Sequence, residues 1–421
     1  MWQTIKKLLF KPGFLLLVFS VAAIIISIQL ILLGTHPFTL PKPPYPNDIM
    51  NRPEYMNLFI GQTNVLTEYN NYVIFKYSFF HLIHGTNLYG VYPTEHWDFY
   101  KYSPTFALFM GLLAYLPNVI GLTIWNLLNG VALFFAIRML PFNPKTQSIL
   151  MWFIANELLT CFSNSQSNGL MCALIIAAYG CMQHSKFMWA TLWLVLAAYI
   201  KVYGAIGFCL FLFYPGKLKF IGYAVMWTII FAVLPLTVTP FHTLVWQYHN
   251  WGDLMMADAT SSTGLSVAGW LESWFGIQNS KTYVTVIGIL LFLVPFARIN
   301  QYKNEVYRLL ILASMLIWVI IFNHKAESPT YIIAVTGVGI WYYAMPKANW
   351  RLTVLWMVLI FTCLGTTDLF PMYVKQHFIY PYKIKAFPCI VAWCVVLADM
   401  LLLKTADIPA ERTVETGNGV K

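Results

Sequence analysis

Long apolar runs separated by short polar segments dominate the chain. The first run covers 13–33 and follows a basic segment that contains Lys6, Lys7 and Lys11. Further apolar runs lie near 104–117, 119–138, 148–163, 168–183, 187–200, 203–215, 219–239, 283–298, 307–323, 329–345, 351–366 and 386–404. A run of about 20 apolar residues is long enough to cross a bilayer as a helix. The pattern therefore predicts an all-α polytopic membrane protein, with tilted or broken helices where a run is shorter than a full span.

The basic residues predict the side that each run faces, because cytoplasmic loops carry an excess of lysine and arginine. Those beside the runs are Arg138, Lys145, Lys186, Lys217, Lys219, Arg298, Lys303, Arg308, Lys347, Arg351, Lys404 and Arg412. Placing all of them inside gives about 12 transmembrane helices, if 104–117 is a partial or re-entrant helix that starts on the outer face. In the alternative, 104–117 crosses and forms a hairpin at Leu116–Pro117, which breaks the positive-inside pattern at Arg138.

This topology predicts one integral membrane domain over 1–404 and a short cytoplasmic tail over 405–421. Two long segments, 34–102 and 240–282, then lie on the outer face. Loops of this length in a compact domain usually carry function. We therefore expect the functional site on the outer side of the membrane.

The composition excludes several classes of protein. Only 10% of the residues are charged and 59% are hydrophobic, and the mean hydropathy is +0.64. A soluble domain carries roughly 25% charged residues, so an ordinary soluble enzyme, a nucleic-acid-binding protein and a disordered regulator are excluded. The formal net charge of +10 then reflects cytoplasmic lysine and arginine. The sequence has no Asp-x-Asp pair and no glycine-rich nucleotide loop, so we predict no metal and no cofactor.

The first outer loop combines an amphipathic segment with a cluster of ionisable residues. Apolar residues recur at helical spacing over 69–84, and because polar residues interrupt them we expect a helix in the membrane interface. After a turn at Gly85, the stretch 95–101 concentrates charge before the next apolar run. Ser103 and Pro104 are typical of an N-cap and a first helical turn. An exposed helix N-terminus there could bind an anion such as phosphate; the alternative is an aromatic interfacial belt with solvated charges.

Four further polar residues stand out against apolar sequence. Gln166 and Asn168 occupy a tight break between two runs, where they could cap a helix or bind a sugar. Lys201 ends an apolar run on the predicted outer face, where it must find an anion or snorkel to water. Glu157 lies within a run, where it is either functional or a buried hydrogen-bonded group near Arg138 or Lys145.

The segment 322–329 is a second dense polar cluster, between two strongly apolar runs. His324, Lys325 and Glu327 offer a hydrogen-bond donor, a cation and an acceptor within four residues. A simple connecting turn needs none of these groups. We therefore expect a functional role for this cluster.

Several short motifs occur in a distinctive order along the chain. They comprise Gly85, Asn87, Leu88, Tyr89, Tyr102, Ser103, Pro104, Phe106, Ala107, Leu108, Gln166, Asn168, Lys201, Ser266 and Gly269. Over roughly 60–345 this order resembles glycosyltransferase family 87. The resemblance implies a C-class glycosyltransferase (GT-C-like) bundle with interfacial helices in the first outer loop, in a bacterial inner membrane, with the site facing the periplasm or exterior. It also implies a polyprenyl-phosphate sugar donor, mannose as the first choice of sugar, a lipid or glycan acceptor, and inverting transfer.

One departure from the family pattern concerns the general base. Family members commonly carry an acid at the head of the interfacial helix, where this chain has Asn71, and an amide cannot accept a proton in that role. The carboxylates that we predict as the base are, in order of preference, Asp98, Glu68 and Glu95. The residues predicted to bind substrate are Asn71, Lys76, His96, Lys101, Gln166, Asn168, Lys201, His324, Lys325 and Glu327.

Two other functions stay compatible with the sequence. A secondary transporter or lipid flippase concentrates ionisable groups near the midplane and often has repeated halves. The predicted polar groups gather toward one face instead, and the sequence has no visible internal repeat, which favours the transferase. The third hypothesis is a non-catalytic relative, because Asn71 stands at the family's acidic position.

Overall fold

The computed structural model describes residues 8–38, 64–258 and 263–403. The described residues are mostly helical, as predicted. Two short strands, β1 (Thr35–Phe38) and β2 (Asn64–Thr67), pair in antiparallel register. The predicted tail over 405–421 lies outside the described residues. The chain forms two compact units: unit 1 takes in 1–140, 158–208 and 218–262, and unit 2 takes in 141–157, 209–217 and 263–421.

The first ten helices lie on predicted apolar runs with two exceptions: the second is the predicted interfacial helix, and the tenth lies in the predicted outer segment 240–282. They are α1 Pro12–Leu33, α2 Asn70–His84, α3 Pro104–Ala114, α4 Asn118–Arg138, α5 Pro144–Phe153, α6 Ala155–Ser163, α7 Asn168–Gln183, α8 Phe187–Ile200, α9 Lys217–Val233 and α10 Phe241–Asp258. All of them except α5 and the start of α6 belong mainly to unit 1. A 3₁₀ segment, Val202–Phe213, continues from α8, and another, Leu234–Thr237, extends α9.

Unit 2 contains the later helices and a shorter irregular part. The helices are α11 Val267–Phe275, α12 Lys281–Leu293, α13 Glu305–Ile321, α14 Tyr331–Ala344, α15 Asn349–Met357 and α16 Phe387–Leu402. Short 3₁₀ segments occupy Val294–Ala297, Ile299–Gln301 and Ser328–Thr330. The π-helical segments Val358–Leu364 and Lys375–Ile379, with the short helix Met372–Val374, precede α16.

Each predicted run coincides with helical structure, but many of these helices are shorter than a full membrane span. Among the described residues, three segments are long and apolar enough to span a membrane: Pro12–Leu33, Asn118–Arg138 and Lys217–Thr237. Helix α3 has 11 residues and is therefore about 16 Å long, roughly half of the hydrocarbon core. The total of about 12 crossings stays a prediction.

Local signals explain where the helices of the first outer loop start and stop. Helix α2 ends at Gly85 in the left-handed conformation, with φ 68°. Thr86 N donates to His81 O at 3.0 Å, which is the long bond of a Schellman motif. Helix α3 starts at Pro104 after Ser103, whose Oγ accepts a hydrogen bond from Phe106 N at 3.1 Å. The predicted cap is confirmed.

The core of unit 2 is built on α13 and α14. A Cβ at Gly337 would lie 2.7 Å from Ala313 O, so glycine permits this close approach of the two backbones. Trp393 Nε1 of α16 donates to Ser314 Oγ at 3.0 Å. This bond ties α16 to the same core.

A buried ion pair lies in the same unit. Glu157 Oε1 accepts a hydrogen bond from Lys385 Nζ at 2.8 Å. The partner expected for Glu157 was Arg138 or Lys145, and that expectation was wrong. The true partner lies 228 residues away in sequence, beyond the reach of any local pattern.

Candidate functional site

The loop between α2 and α3 is fixed to α2 by polar contacts. The Asn70 side-chain amide makes two hydrogen bonds to the backbone of Trp97. Its Oδ1 accepts from Trp97 N at 2.9 Å, and its Nδ2 donates to Trp97 O. His81 Nε2 lies 2.9 Å from Glu95 Oε2. These contacts hold the charged stretch 95–101 in one conformation beside the helix.

His96 is a neutral group in this loop. It is buried, and its Nδ1 lies 3.1 Å from Asp98 O. Burial, helped by the nearby His81, lowers the pKa of His96 to about 4. At neutral pH the ring therefore carries no charge. His96 can give or accept a hydrogen bond, but it does not supply a cation for a phosphate.

Asp98 has a backbone conformation that is uncommon outside glycine. Its φ is 79°, and aspartate is one of the few residues that tolerate this region. The carboxylate accepts from Phe99 N at 2.7 Å and lies 3.2 Å from Lys101 Nζ. Lys101 also lies 3.8 Å from Asp258 Oδ1. The side chain of Asp98 stays one-third exposed, so this carboxylate is both held in place and accessible.

The start of α3 differs from the expectation. An exposed N-terminus was expected there, and the structure buries it. Ser103, Thr105 and Phe106 have at most 2% exposure. Ser103 Oγ also donates to Tyr199 O at 2.5 Å. The cap and its neighbours therefore close this helix end, and α3 offers no open anion site.

Lys201 is the centre of a compact group of polar and aromatic side chains. It stands at the end of α8, where the backbone turns extended. Its Nζ donates to Asn168 Oδ1 at 2.8 Å and to Gln166 Oε1 at 3.2 Å. It also lies 5.7 Å from the Tyr102 ring centroid and 5.8 Å from that of Tyr203. We call Tyr102, Gln166, Asn168, Lys201 and Tyr203 the amide–lysine cluster.

Both tyrosine hydroxyls take part in this cluster. Tyr203 donates to Asn168 Oδ1 at 3.1 Å, and Tyr102 lies at 3.5 Å from Gln166 Oε1. The Tyr102 ring packs edge-on against Phe75 at 4.8 Å. The cluster therefore links α2, the start of α3, the break before α7 and the end of α8. Both amide oxygens are neutral acceptors, and they orient the Lys201 ammonium.

The turn before α7 does not use its polar side chains as caps. Ser167 is the N-cap residue of α7 and its side chain makes no cap bond, while Gln166 and Asn168 turn to Lys201. Within the described part of the chain, Ser165 Oγ, Ser167 Oγ and Asn168 Nδ2 are buried atoms without a hydrogen-bond partner. A buried unsatisfied group costs about 1–3 kcal/mol. This turn is therefore suited to a polar ligand.

The other predicted residues of unit 1 lie apart from this group. Glu68 follows β2 and is exposed. Asn71 Nδ2 donates to Asn164 O at 2.9 Å, close in sequence to the turn before α7. Lys76 donates to Leu116 O and Asn118 Oδ1, at 2.9 and 2.8 Å. Those acceptors lie past the far end of α3, about 20 Å along the helix axis from its start.

The predicted cluster of unit 2 is a tight turn. Ala326 N donates to Asn323 O, and Ala326 O accepts from Leu265 N at 2.8 Å. A Cβ at Gly264 would lie 2.5 Å from His324 O. His324 and Lys325 are half-buried and Glu327 is exposed. The turn therefore presents its side chains from a backbone fixed by the segment before α11.

A polar group beside this turn was missed from the sequence. Thr263 Oγ1 donates to Glu272 Oε2 at 2.6 Å and accepts from Lys383 Nζ at 2.9 Å. Lys383 also lies 3.6 Å from Glu272, and burial lowers the pKa of this lysine. A Cβ at Gly269 would lie 2.7 Å from Lys383 Nζ. The available signal was the Ser266-x-x-Gly269 motif, which is the cap of α11.

Comparison with known proteins identifies the family of the chain. The family model of glycosyltransferase family 87 matches residues 99–322, which is 224 of the 421 residues. The matched range includes Lys101, the amide–lysine cluster and α11. No curated protein has a significant match to the chain.

Proposed function

The chain belongs to glycosyltransferase family 87, and on that premise we propose that it moves a hexose from a polyprenyl-phosphate sugar to a lipid or glycan acceptor. We propose mannose as the sugar. The proposal places the protein in a bacterial inner membrane, as one integral domain over 1–404 with its site facing the periplasm or exterior.

The amide–lysine cluster is the observation that carries this proposal. Transfer from a lipid phosphate releases a phosphate that must be stabilised as its charge develops. Lys201 supplies a positive charge that two amide oxygens hold at 2.8 and 3.2 Å. Beside it, Asn168 Nδ2 and the hydroxyls of Ser165 and Ser167 offer donors to a phosphate or a sugar. A preorganised donor site of this kind favours a charged leaving group over a neutral one.

The reaction also needs a general base. A carboxylate takes the proton of the acceptor hydroxyl while the oxygen of that hydroxyl attacks the anomeric carbon of the sugar. The bond from that carbon to the phosphate oxygen breaks, and its electron pair leaves with the phosphate. Attack opposite the leaving group inverts the anomeric centre.

We propose Asp98 as the base, ahead of Glu68 and Glu95. Asp98 precedes Tyr102 of the amide–lysine cluster by four residues, which span at most about 14 Å. Its carboxylate is partly exposed, and Lys101 and Phe99 N orient it. Glu95 is engaged by His81 at 2.9 Å, which makes it a weaker candidate.

The remaining predicted residues have narrower proposed roles. We assign Asn71, His96 and Glu327 to hydrogen bonding with substrate hydroxyls. We assign Lys76, Lys101, His324 and Lys325 to the attraction of anionic substrate, and each is to be tested by its own variant. Lys101 is the weakest of these, because two carboxylates already compete for its charge.

The test is transfer in proteoliposomes, with polyprenyl-phosphate mannose as donor and extracted membrane lipid as acceptor. Lys201→Met is expected to reduce transfer at least 100-fold, because the variant lacks the positive charge that stabilises the leaving phosphate. Removal of one oxyanion-hole donor has an effect of about this size. Lys201→Arg should retain part of it. Lys145→Met, at the start of α5, is the matched control.

The base assignment needs a separate series. Asp98→Asn should abolish transfer, and Glu305→Gln, in the first turn of α13, should leave it intact. If Asp98→Asn keeps full activity and Glu68→Gln loses it, the base is Glu68. If the wild-type protein binds the donor but transfers no sugar, the proposed transferase activity is refuted and the non-catalytic relative is favoured. Uptake of substrate into the vesicles without transfer would favour the transporter or flippase.

A further inference from the structure

A large apolar cavity lies within unit 1, and no residue of the amide–lysine cluster is among those that line it. Its volume is about 1030 Å³, at the upper end of the range for ligand pockets. Helices α4, α7 and α8 and the start of α9 form its walls. Small residues, among them Ala132 and Ala177, line the space together with the larger Trp189 and Trp193. The shape is that of an apolar slot rather than of a sugar site.

The polar residues of this cavity gather at one end. Among the described residues that line it, the charged side chains are Lys186 and Lys219. Tyr223 lines the cavity one turn further along α9. Lys186 is the N-cap of α8, and its N donates to Cys181 O at 2.9 Å, so the backbone that carries it is fixed. The cavity thus has an apolar body and a cationic mouth.

The cationic mouth and Lys201 are at opposite ends of α8. The 15 residues from Lys186 to Lys201 correspond to about 22 Å of helix. By the positive-inside rule, Lys186 and Lys219 face the cytoplasm. The cationic mouth therefore lies toward the opposite side of the membrane from the proposed transfer site.

The depth of the cavity matches one leaflet of a bilayer. Its lining on α4 extends from Leu128 to Met139, about 16 Å along the helix axis. Half of the hydrocarbon core is about 15 Å. A glycerophospholipid chain fits this depth, whereas a long polyprenyl chain exceeds it. The two lysines at the mouth would meet the headgroup of that lipid.

We propose that this cavity is a binding site for an anionic glycerophospholipid of the cytoplasmic leaflet. Basic pockets between transmembrane helices on the cytoplasmic side are suited to anionic lipid headgroups. Lys186 and Lys219 bind the phosphate group, and the apolar walls hold an acyl chain. The proposal does not depend on the transferase activity, because its readout is lipid retention.

Native mass spectrometry of the protein released from nanodiscs tests the proposal. The nanodiscs contain phosphatidylcholine and phosphatidylglycerol in equal amounts. The wild-type protein should retain phosphatidylglycerol preferentially. The Lys186→Gln/Lys219→Gln variant should lose this preference by roughly 30-fold, since two lysines each contribute about 1 kcal/mol of attraction to an anionic lipid. Ala132→Trp and Ala177→Trp should reduce retention of both lipids by filling the slot.

The control is Lys145→Gln/Lys347→Gln, which removes the same charge from lysines outside the cavity lining and should keep the preference. Equal retention of the two lipids by the wild-type protein would overturn the proposal. So would an equal loss of preference in the control and in the cavity variant. Retention of undecaprenyl phosphate in place of added phosphatidylglycerol would overturn the assignment to a glycerophospholipid.

Discussion

The Glu157–Lys385 ion pair predicts a large loss of stability when only one of its charges is removed. Glu157 is fully buried and the side chain of Lys385 is 2% exposed. Lys385 Nζ lies 2.8 Å from Glu157 Oε1 and 5.6 Å from the centroid of the Tyr331 ring. Glu157→Gln keeps the shape of the side chain and leaves the buried ammonium without its counter-charge.

The expected size of the loss depends on this burial. Breaking a buried pair by removing one partner costs about 3–5 kcal/mol, whereas replacing both partners by apolar or neutral groups is often close to neutral. We therefore expect Glu157→Gln to raise the unfolding equilibrium constant at least 100-fold. The double variant Glu157→Gln/Lys385→Met should recover most of that loss, because it leaves no uncompensated charge.

Thiol labelling during thermal unfolding in detergent measures this effect. Cys363 and Cys389 are fully buried in the same unit, so a thiol-reactive dye reports their exposure. Glu272→Gln is the matched control, since its pair with Lys383 is at 3.6 Å with both side chains partly exposed and should contribute less than about 1 kcal/mol. The reasoning fails if Glu157→Gln unfolds like this control, or if the double variant is as unstable as the single one.

Three further predictions concern local features and use the same labelling assay, with the buried Cys161 and Cys172 as the reporting thiols for the variants of unit 1. Ser103→Ala should cost about 1 kcal/mol through loss of the α3 cap, and Ser103→Asn should restore most of it. Gly269→Ala should cost about 1–3 kcal/mol, since its Cβ would clash with Gly264 O; an unchanged melting temperature would contradict this. His96 resists protonation when folded, with a pKa of about 4 against 6.5. The contribution of neutral His96 to the free energy of unfolding is therefore complete above pH 6.5 and falls by roughly 3 kcal/mol as the pH drops to 4. His96→Gln should flatten this dependence on pH.

Features with a local sequence signal were predicted correctly. The apolar runs predicted the positions of most helices, because the apolar character of a segment can be read from its own residues. Ser103 and Pro104 located the start of α3, because a cap needs only its own first turn. The helix over 69–84 and its end at Gly85 were predicted for the same reason. The membership in glycosyltransferase family 87 was inferred from the order of motifs and was confirmed.

Features that depend on distant contacts were not predictable in this way. The burial of the α3 start depends on Tyr199, which is 96 residues from Ser103. Gln166 and Asn168 suit a helix cap in sequence, and only the position of Lys201 shows that they orient a lysine instead. Lys383 has no local sequence signal, because its partner Glu272 lies far from it along the chain. Sequence identifies such groups as candidates, and packing decides their partners.

The environment of each lysine separates a structural charge from one suited to a ligand. Lys385 is matched by the Glu157 carboxylate at 2.8 Å, and Lys101 lies 3.2 Å from Asp98, so a ligand anion would have to compete with a fixed negative charge. The amide–lysine cluster orients Lys201 with the neutral oxygens of Gln166 and Asn168, at 3.2 and 2.8 Å. In a chain with so few charges, holding a lysine in this way favours an anion that arrives with the substrate. Lys201 is therefore the residue of the proposed transfer site on which the phosphate chemistry is best tested.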